Sequence, residues 1–143
     1  AACQFAKTFG QAIEAGFDEA LMLDRDGFVS ECAVENIFMV RRGELITPPT
    51  DNALPGITRA SIMEIALDEG IAVREEKFRP EGICAADEVF ITGTSAEVTP
   101  VVQIDGRKIG NGKPGESTML LQKIFFDAAR GKEKKYWKWL TYV

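Results

Sequence analysis

The sequence predicts a mixed α+β fold, a barrel-like β-sheet with flanking helices, and three observations carry that expectation. Short strand-like segments are joined by tight turns, Asp24-Arg25-Asp26-Gly27 and Arg41-Arg42-Gly43, and Asp-Gly between apolar runs is a strong hairpin signal. Two helical stretches, over residues 58–69 and 116–130, are interleaved with the strands. Strands that turn directly into their neighbours argue against a doubly wound parallel sheet, in which helices connect the strands.

Each element has a local reason. Residues 1–15 read as a helix, with Phe5, Phe9, Ala12 and Ile13 at helical spacing and Gly16 closing it. Residues 19–23, 28–30 and 36–40 read as strands. A fourth strand, over 44–47, is ended by Pro48-Pro49. A loop over 50–55 leads to the helix over 58–69, whose apolar stripe is Ile62, Ile65 and Ala66 and whose stop is Gly70. Residues 73–78 read as a strand, 83–86 as a short connection, and 88–92 as a strand feeding a Gly93-Thr94 turn. A late hairpin is expected from 101–104, the Asp105-Gly106 turn and Lys108-Ile109. The last helix is followed by an aromatic tail containing Tyr136, Trp137, Trp139 and Leu140.

At 143 residues the chain suits a single domain over 1–143 with a sizeable core, and no repeat, linker or low-complexity segment divides it. A net charge of -5 argues against general nucleic-acid binding, which needs a basic footprint. No apolar run approaches transmembrane length and the start lacks a signal-peptide layout, so a cytoplasmic protein without a membrane or nucleic-acid partner is expected. Cys3, Cys32 and Cys84 are odd in number and far apart in sequence, with no C-x-x-C motif, which suits a reducing compartment. Histidine is absent. That removes Ser-His and Cys-His nucleophile pairs and His-ligated zinc, and no metal site is expected. A cofactor or another chain must supply most of any chemistry.

Three segments offer such a partner something to hold. In Ser30-Glu31-Cys32-Ala33-Val34-Glu35-Asn36 a carboxylate, Glu31, lies between apolar neighbours, where an unpaired charge is costly. It can sit beside a pyridine nitrogen and keep it protonated, or it can simply face water at a strand end. Glu35 and Asn36 read as structural, holding the turn through side-chain to backbone bonds. In Leu54-Pro55-Gly56-Ile57-Thr58-Arg59, Gly56 permits close backbone approach, and the following helix start is an anion site with an added hydroxyl on Thr58. The alternative is a plain helix start with Thr58 as a cap, and Arg59 is expected to pair with Glu31 or a neighbour. In Gly93-Thr94-Ser95-Ala96-Glu97, Thr94 and Glu97 are spaced as a capping box, or the turn offers a second set of donors. Gly110-Asn111-Gly112-Lys113-Pro114-Gly115 lacks the strand-then-helix frame of a phosphate loop and reads as a hairpin exit. The basic run over 130–135 reads as a solvated helix end with its aromatic tail packed on the core.

In this order the three segments resemble the C-terminal part of the branched-chain amino acid aminotransferases, enzymes of pyridoxal phosphate fold type IV. The likeness runs from Gly16-Phe17-Asp18-Glu19-Ala20-Leu21 to Trp139-Leu140. The resemblance implies pyridoxal 5'-phosphate as cofactor, with Glu31 on the pyridine nitrogen and Gly56, Ile57, Thr58 and Thr94 on the phosphate. It assigns the Ser95 and Ala96 amides to the substrate carboxylate, Ser95 standing where the family usually has alanine. It implies transamination of branched-chain L-amino acids with 2-oxoglutarate by a dimer or larger homo-oligomer. No catalytic residue is expected within the chain. The family's Schiff-base lysine would fall just before Ala1, Lys7 lies on the wrong side of Phe5 to replace it, and the family's N-terminal domain is missing. D-amino acid aminotransferases and aminodeoxychorismate lyases share parts of the pattern. A reading from another class is a non-catalytic domain that binds a phosphorylated ligand or serves in assembly.

Overall fold

The computed structural model describes residues 1–51 and 53–140; Asn52, within the loop expected over 50–55, lies outside the described residues. The strands are β1 (Ala2–Phe5), β2 (Glu19–Leu23), β3 (Val29–Cys32), β4 (Asn36–Arg41), β5 (Glu44–Thr47), β6 (Val73–Glu75), β7 (Glu88–Gly93), β8 (Glu97–Val101), β9 (Gln103–Ile104) and β10 (Arg107–Lys108). The helices are α1 (Phe9–Glu14), α2 (Ile57–Asp68), α3 (Pro80–Cys84) and α4 (Glu116–Ala129), with a 3-10 turn over Lys134–Trp139. The strands form two five-stranded sheets, ordered β10-β9-β1-β2-β3 and β6-β5-β4-β7-β8.

The second sheet is the middle layer of three. β4 is apolar on both faces, as a strand covered on both sides must be. Its Ile37 and Met39 meet Cys3, Leu21 and Ile104 of the first sheet, while Phe38 and Val40 join Ile62 and Ile65 of α2 and Leu121 of α4. β7 repeats the division: Val89 and Ile91 face the first sheet and Phe90 faces the helices. Phe38 and Phe90 are register partners, and their rings stack with centroids 5.0 Å apart. The stripe of Ile62, Ile65 and Ala66 is the buried face of α2.

Several expectations need correction. Residues 1–15 are not one helix. Ala2–Phe5 is a central strand, parallel to both β2 and β9, and the helix begins only after Thr8, whose hydroxyl accepts from Gln11 N. Of the helically spaced apolar residues, only Ala12 is buried in α1, while Phe9 and Ile13 are exposed. The strand expected over 73–78 ends at Glu75, and α3 begins ahead of the connection expected over 83–86. Residues 97–101 are a strand paired antiparallel with β7. The segment Gly93-Thr94-Ser95-Ala96-Glu97 is therefore a hairpin turn with Glu97 in the left-handed region, and no helix is present for a capping box. Val101 belongs to β8, so the late hairpin is the short β9–β10 pair.

Two polar contacts fix the ends of the helical layer. The Glu88 carboxylate, at the start of β7, accepts from Thr118 N (2.8 Å) and Ser117 N (3.3 Å), capping α4 from another element. It fills the space beside Gly115, where a Cβ would overlap it. At the tail, Tyr136 is buried and its hydroxyl donates to Asp68 at the end of α2 (2.7 Å). Lys138 pairs with Glu64 and Lys135 with Asp68, so the basic tail lies against acids of α2.

Candidate functional site

Three loops converge at the end of the second sheet: the β3–β4 turn, the loop before α2, and the β7–β8 turn. They enclose a cleft of about 110 Å³ that brings together Glu31, Gly56, Ile57, Thr58 and Thr94. Glu35, Asn36 and Thr92 are its buried polar members. Ser95 and Ala96 do not line it; they form the tip of the β7–β8 turn, with Ser95 exposed. Lys7 lies in a separate cleft of about 440 Å³ beside Phe5, Leu21 and Asp24.

The α2 end of the cleft is a set of uncommitted donors. Gly56 caps the helix without a side-chain bond, and the first intrahelical bond runs from Ala60 N to Gly56 O. The N–H groups of Ile57, Thr58 and Arg59 therefore precede the hydrogen-bonded ladder and carry the positive end of its dipole. The Gly56 N–H is not among them, because it donates to Leu54 O (2.9 Å). Neither the Thr58 nor the Thr94 hydroxyl makes a hydrogen bond among the described residues.

Gly56 is required for a reason other than close approach of a ligand. Its backbone angles, φ -61 and ψ 144, suit any residue. A Cβ there would instead overlap Asn36 Oδ1. Asn36 Nδ2 donates to Leu54 O (2.7 Å) and Glu31 Oε2 accepts from Leu54 N (3.0 Å). Asn36 thus holds a loop eighteen residues ahead in the chain, a longer reach than the local turn expected for it. Arg59 does not meet Glu31. It is buried, donates to Pro48 O (3.1 Å) and pairs with Glu75 (2.5 Å), tying α2 to the strands.

Beneath the cleft lies a carboxyl pair that motif spacing did not reveal. Glu19 and Glu35 are only 6% and 7% exposed. Glu19 Oε1 accepts from Ala20 N (2.8 Å) and Ala33 N (3.4 Å). Burial, then the hydrogen bond and the charge of Glu19, push the Glu35 carboxyl up to about 7. The one available signal was a charged residue opening the apolar run Ala20-Leu21-Met22-Leu23. Cys3 and Cys32 lie in the same region, both free and buried. The Cys3 side-chain hydrogen bond and burial raise the Cys32 thiol well above its ordinary value.

Known proteins resemble this chain in sequence and in fold. A "Probable branched-chain-amino-acid aminotransferase" of Aquifex aeolicus (strain VF5) is 48% identical over 140 residues, covering 96% of this chain and 44% of that protein. The branched-chain-amino-acid aminotransferase of Pseudomonas aeruginosa is 44% identical over 133 residues, covering 93% of this chain and 43% of its own length. A T.th. branched-chain amino acid aminotransferase, crystallised with N-(5'-phosphopyridoxyl)-L-glutamate, superposes with a TM-score of 0.92 at 43% identity, over 94% of this chain and 46% of that one. The chain thus spans less than half the length of these relatives, and its architecture is that of fold type IV aminotransferases. Residues 7–104 match the model of the amino-transferase class IV family, and the chain belongs to that family.

Proposed function

We propose that this chain is a single domain supplying the cofactor-binding half of a pyridoxal 5'-phosphate-dependent aminotransferase, which transfers the amino group of branched-chain L-amino acids to 2-oxoglutarate. The observation that carries the reading is the convergence, in one cleft, of a half-buried carboxylate, an uncapped helix start and two uncommitted threonine hydroxyls. The cleft also holds Thr92 Oγ1, buried and without a hydrogen-bond partner among the described residues. Buried polar atoms are normally satisfied, so this surface suits a polar group, and the donors and the carboxylate fit a phosphorylated pyridine.

When bound, pyridoxal phosphate supplies an electron sink for the bond changes at the substrate α-carbon. The Ile57 and Thr58 amides with the Thr58 and Thr94 hydroxyls hold the phosphate, being charge-assisted donors at a helix start. Glu31 holds a proton on the ring nitrogen, because its charge favours the cationic ring. Its Oε2 is anchored on Leu54 N, which fixes the plane of the carboxylate. The Ser95 and Ala96 amides, at the tip of the adjoining turn, take the substrate carboxylate. A cleft of about 110 Å³ is one wall of a site for a ligand of this size, since enclosing pockets run to about 300 Å³ or more. The opposite wall and the Schiff-base lysine belong, in this reading, to the remainder of a longer polypeptide that works as a cytoplasmic homodimer or larger assembly.

The test is Glu31→Gln in the full-length protein. Turnover of branched-chain amino acids should fall at least ~100-fold, about 2.7 kcal/mol in the barrier, while pyridoxal phosphate affinity changes far less. Wild-type turnover in Glu31→Gln, with loss of activity in Glu35→Gln, would assign the ring contact to the other glutamate.

A further inference from the structure

The loop that opens the cleft is poorly anchored by packing. Leu54 is 69% exposed, Ile57 is 88% exposed and Pro55 is exposed as well. Apolar burial, which fixes most loops next to a helix, contributes little there. What ties the segment to the two sheets is a pair of side chains on one residue's backbone, Glu31 from β3 of the first sheet and Asn36 from β4 of the second. Glu31 Oε2 accepts from Leu54 N, and Asn36 Nδ2 donates to Leu54 O. The same Leu54 carbonyl accepts from Gly56 N, closing a tight turn around Pro55 immediately before α2.

We propose that Asn36 is a positioning residue for this cleft: by holding the Leu54 carbonyl and abutting Gly56, it presets both the α2 donors and the Glu31 carboxylate. Asn36 can do this because its backbone is the first residue of β4, paired with the fully buried Thr92 of β7 at the cleft end of the sheet. Asn36 is only 6% exposed, so its contacts with the loop are not exchanged with water. The Asn36–Gly56 contact is steric, which makes position 56 a reporter of the same device. An alanine at 56 is acceptable to the backbone and unacceptable only to Asn36. Asn36 touches no ligand in this arrangement and acts through Leu54 and Gly56. The proposal rests on the cofactor reading for its consequence, but its geometric core does not.

The experiment uses the full-length protein and three variants: Asn36→Ala, Gly56→Ala and the double variant. Two readouts are taken, pyridoxal 5'-phosphate binding by titration and hydrogen exchange at the Leu54 and Gly56 amides without ligand. Each single variant should weaken binding about 10-fold or more and speed exchange of both amides about 10-fold, while exchange in β4 and β7 stays at the wild-type rate. The double variant should be no worse than Asn36→Ala alone, because removing Asn36 removes the overlap with Ala at position 56. Strictly additive losses would overturn the proposal, as would unchanged Leu54 and Gly56 exchange in Asn36→Ala. A wild-type protein that does not bind pyridoxal phosphate but loses amide protection in Asn36→Ala would keep the positioning role and reject the cofactor. If Asn36→Ala does not fold, Gly56→Ala and Gly56→Ser, which press on Asn36 to similar extents, carry the test: wild-type exchange and binding in both would refute it.

Discussion

Glu35→Gln isolates the buried carboxyl pair under the cleft. In the native protein the Glu35 carboxyl is raised from 4.5 to about 7, chiefly by burial and then by Glu19. The native state therefore binds this proton more tightly than the unfolded chain does. The resulting stability is fully present below about pH 4.5, declines as pH rises, and is lost once pH passes about 7. Converting the difference between those two values gives at most about 3 kcal/mol. Glutamine is neutral at every pH and keeps a donor for Glu19, so it mimics the protonated form. Urea unfolding at about pH 5 and about pH 8 should show the wild type losing stability relative to Glu35→Gln by up to that amount. The titratable groups that interact with Glu35, Glu19 on β2 and Cys32 on β3, are present in both proteins, so the difference reports position 35. A wild-type stability that rises across this range relative to the variant, or parallel pH profiles, would refute the argument.

Other perturbations bear on separate parts of the structure. In the proposed phosphate site, Thr58→Ala and Thr94→Ala would each remove a hydroxyl bond to a charged acceptor, worth about 1.5–3 kcal/mol. Pyridoxal phosphate affinity of the full-length protein should fall about 10- to 100-fold in each, measured by titration; unchanged affinity in both would reduce these residues to turn formers. Phe38→Ala removes a fully buried ring stacked on Phe90 and should cost about 3–5 kcal/mol in chemical denaturation. A loss below about 1 kcal/mol would mean that α2 and α4 collapse into the space.

Much of the fold could be read from the residues, and the gaps share a cause. β4 and β7 announced themselves by apolar runs covered on both faces, and α2 by Ile62, Ile65 and Ala66. β1 was missed because its reason for being a strand lies elsewhere: its partners are β2 and β9, the second about one hundred residues away. Helical spacing of Phe5, Phe9 and Ile13 is local, and two of those side chains end up in solvent. β8 was missed for a related reason, since Pro100 and Glu97 disfavour a strand on their own and only pairing with β7 makes one. At the site, the three motifs signalled their donors, and the structure gathers Glu31, Thr58 and Thr94 in one cleft. The reach of Asn36 to Leu54 and the meeting of Glu19 with Glu35 are tertiary facts, and no spacing rule encodes them.

The Glu88 cap on α4 has a consequence for how the chain finds its register. Alternating faces reject a one-residue slip of β7 against β4, which would turn the phenylalanines away from the helices. A two-residue slip keeps every side chain on its proper face and escapes that check. The ends of β7 catch it. Sliding the strand would carry Glu88 off the amides of Ser117 and Thr118, leaving the start of α4 uncapped. At the other end, Gly93 passes the Glu35 side chain so closely that a Cβ would lie 3.0 Å from Glu35 Cγ. A slip would deliver Ile91 or Ser95 to that narrow place. One strand is thus checked at both termini, and at the Glu88 end the check is made by the docking of the helical layer itself.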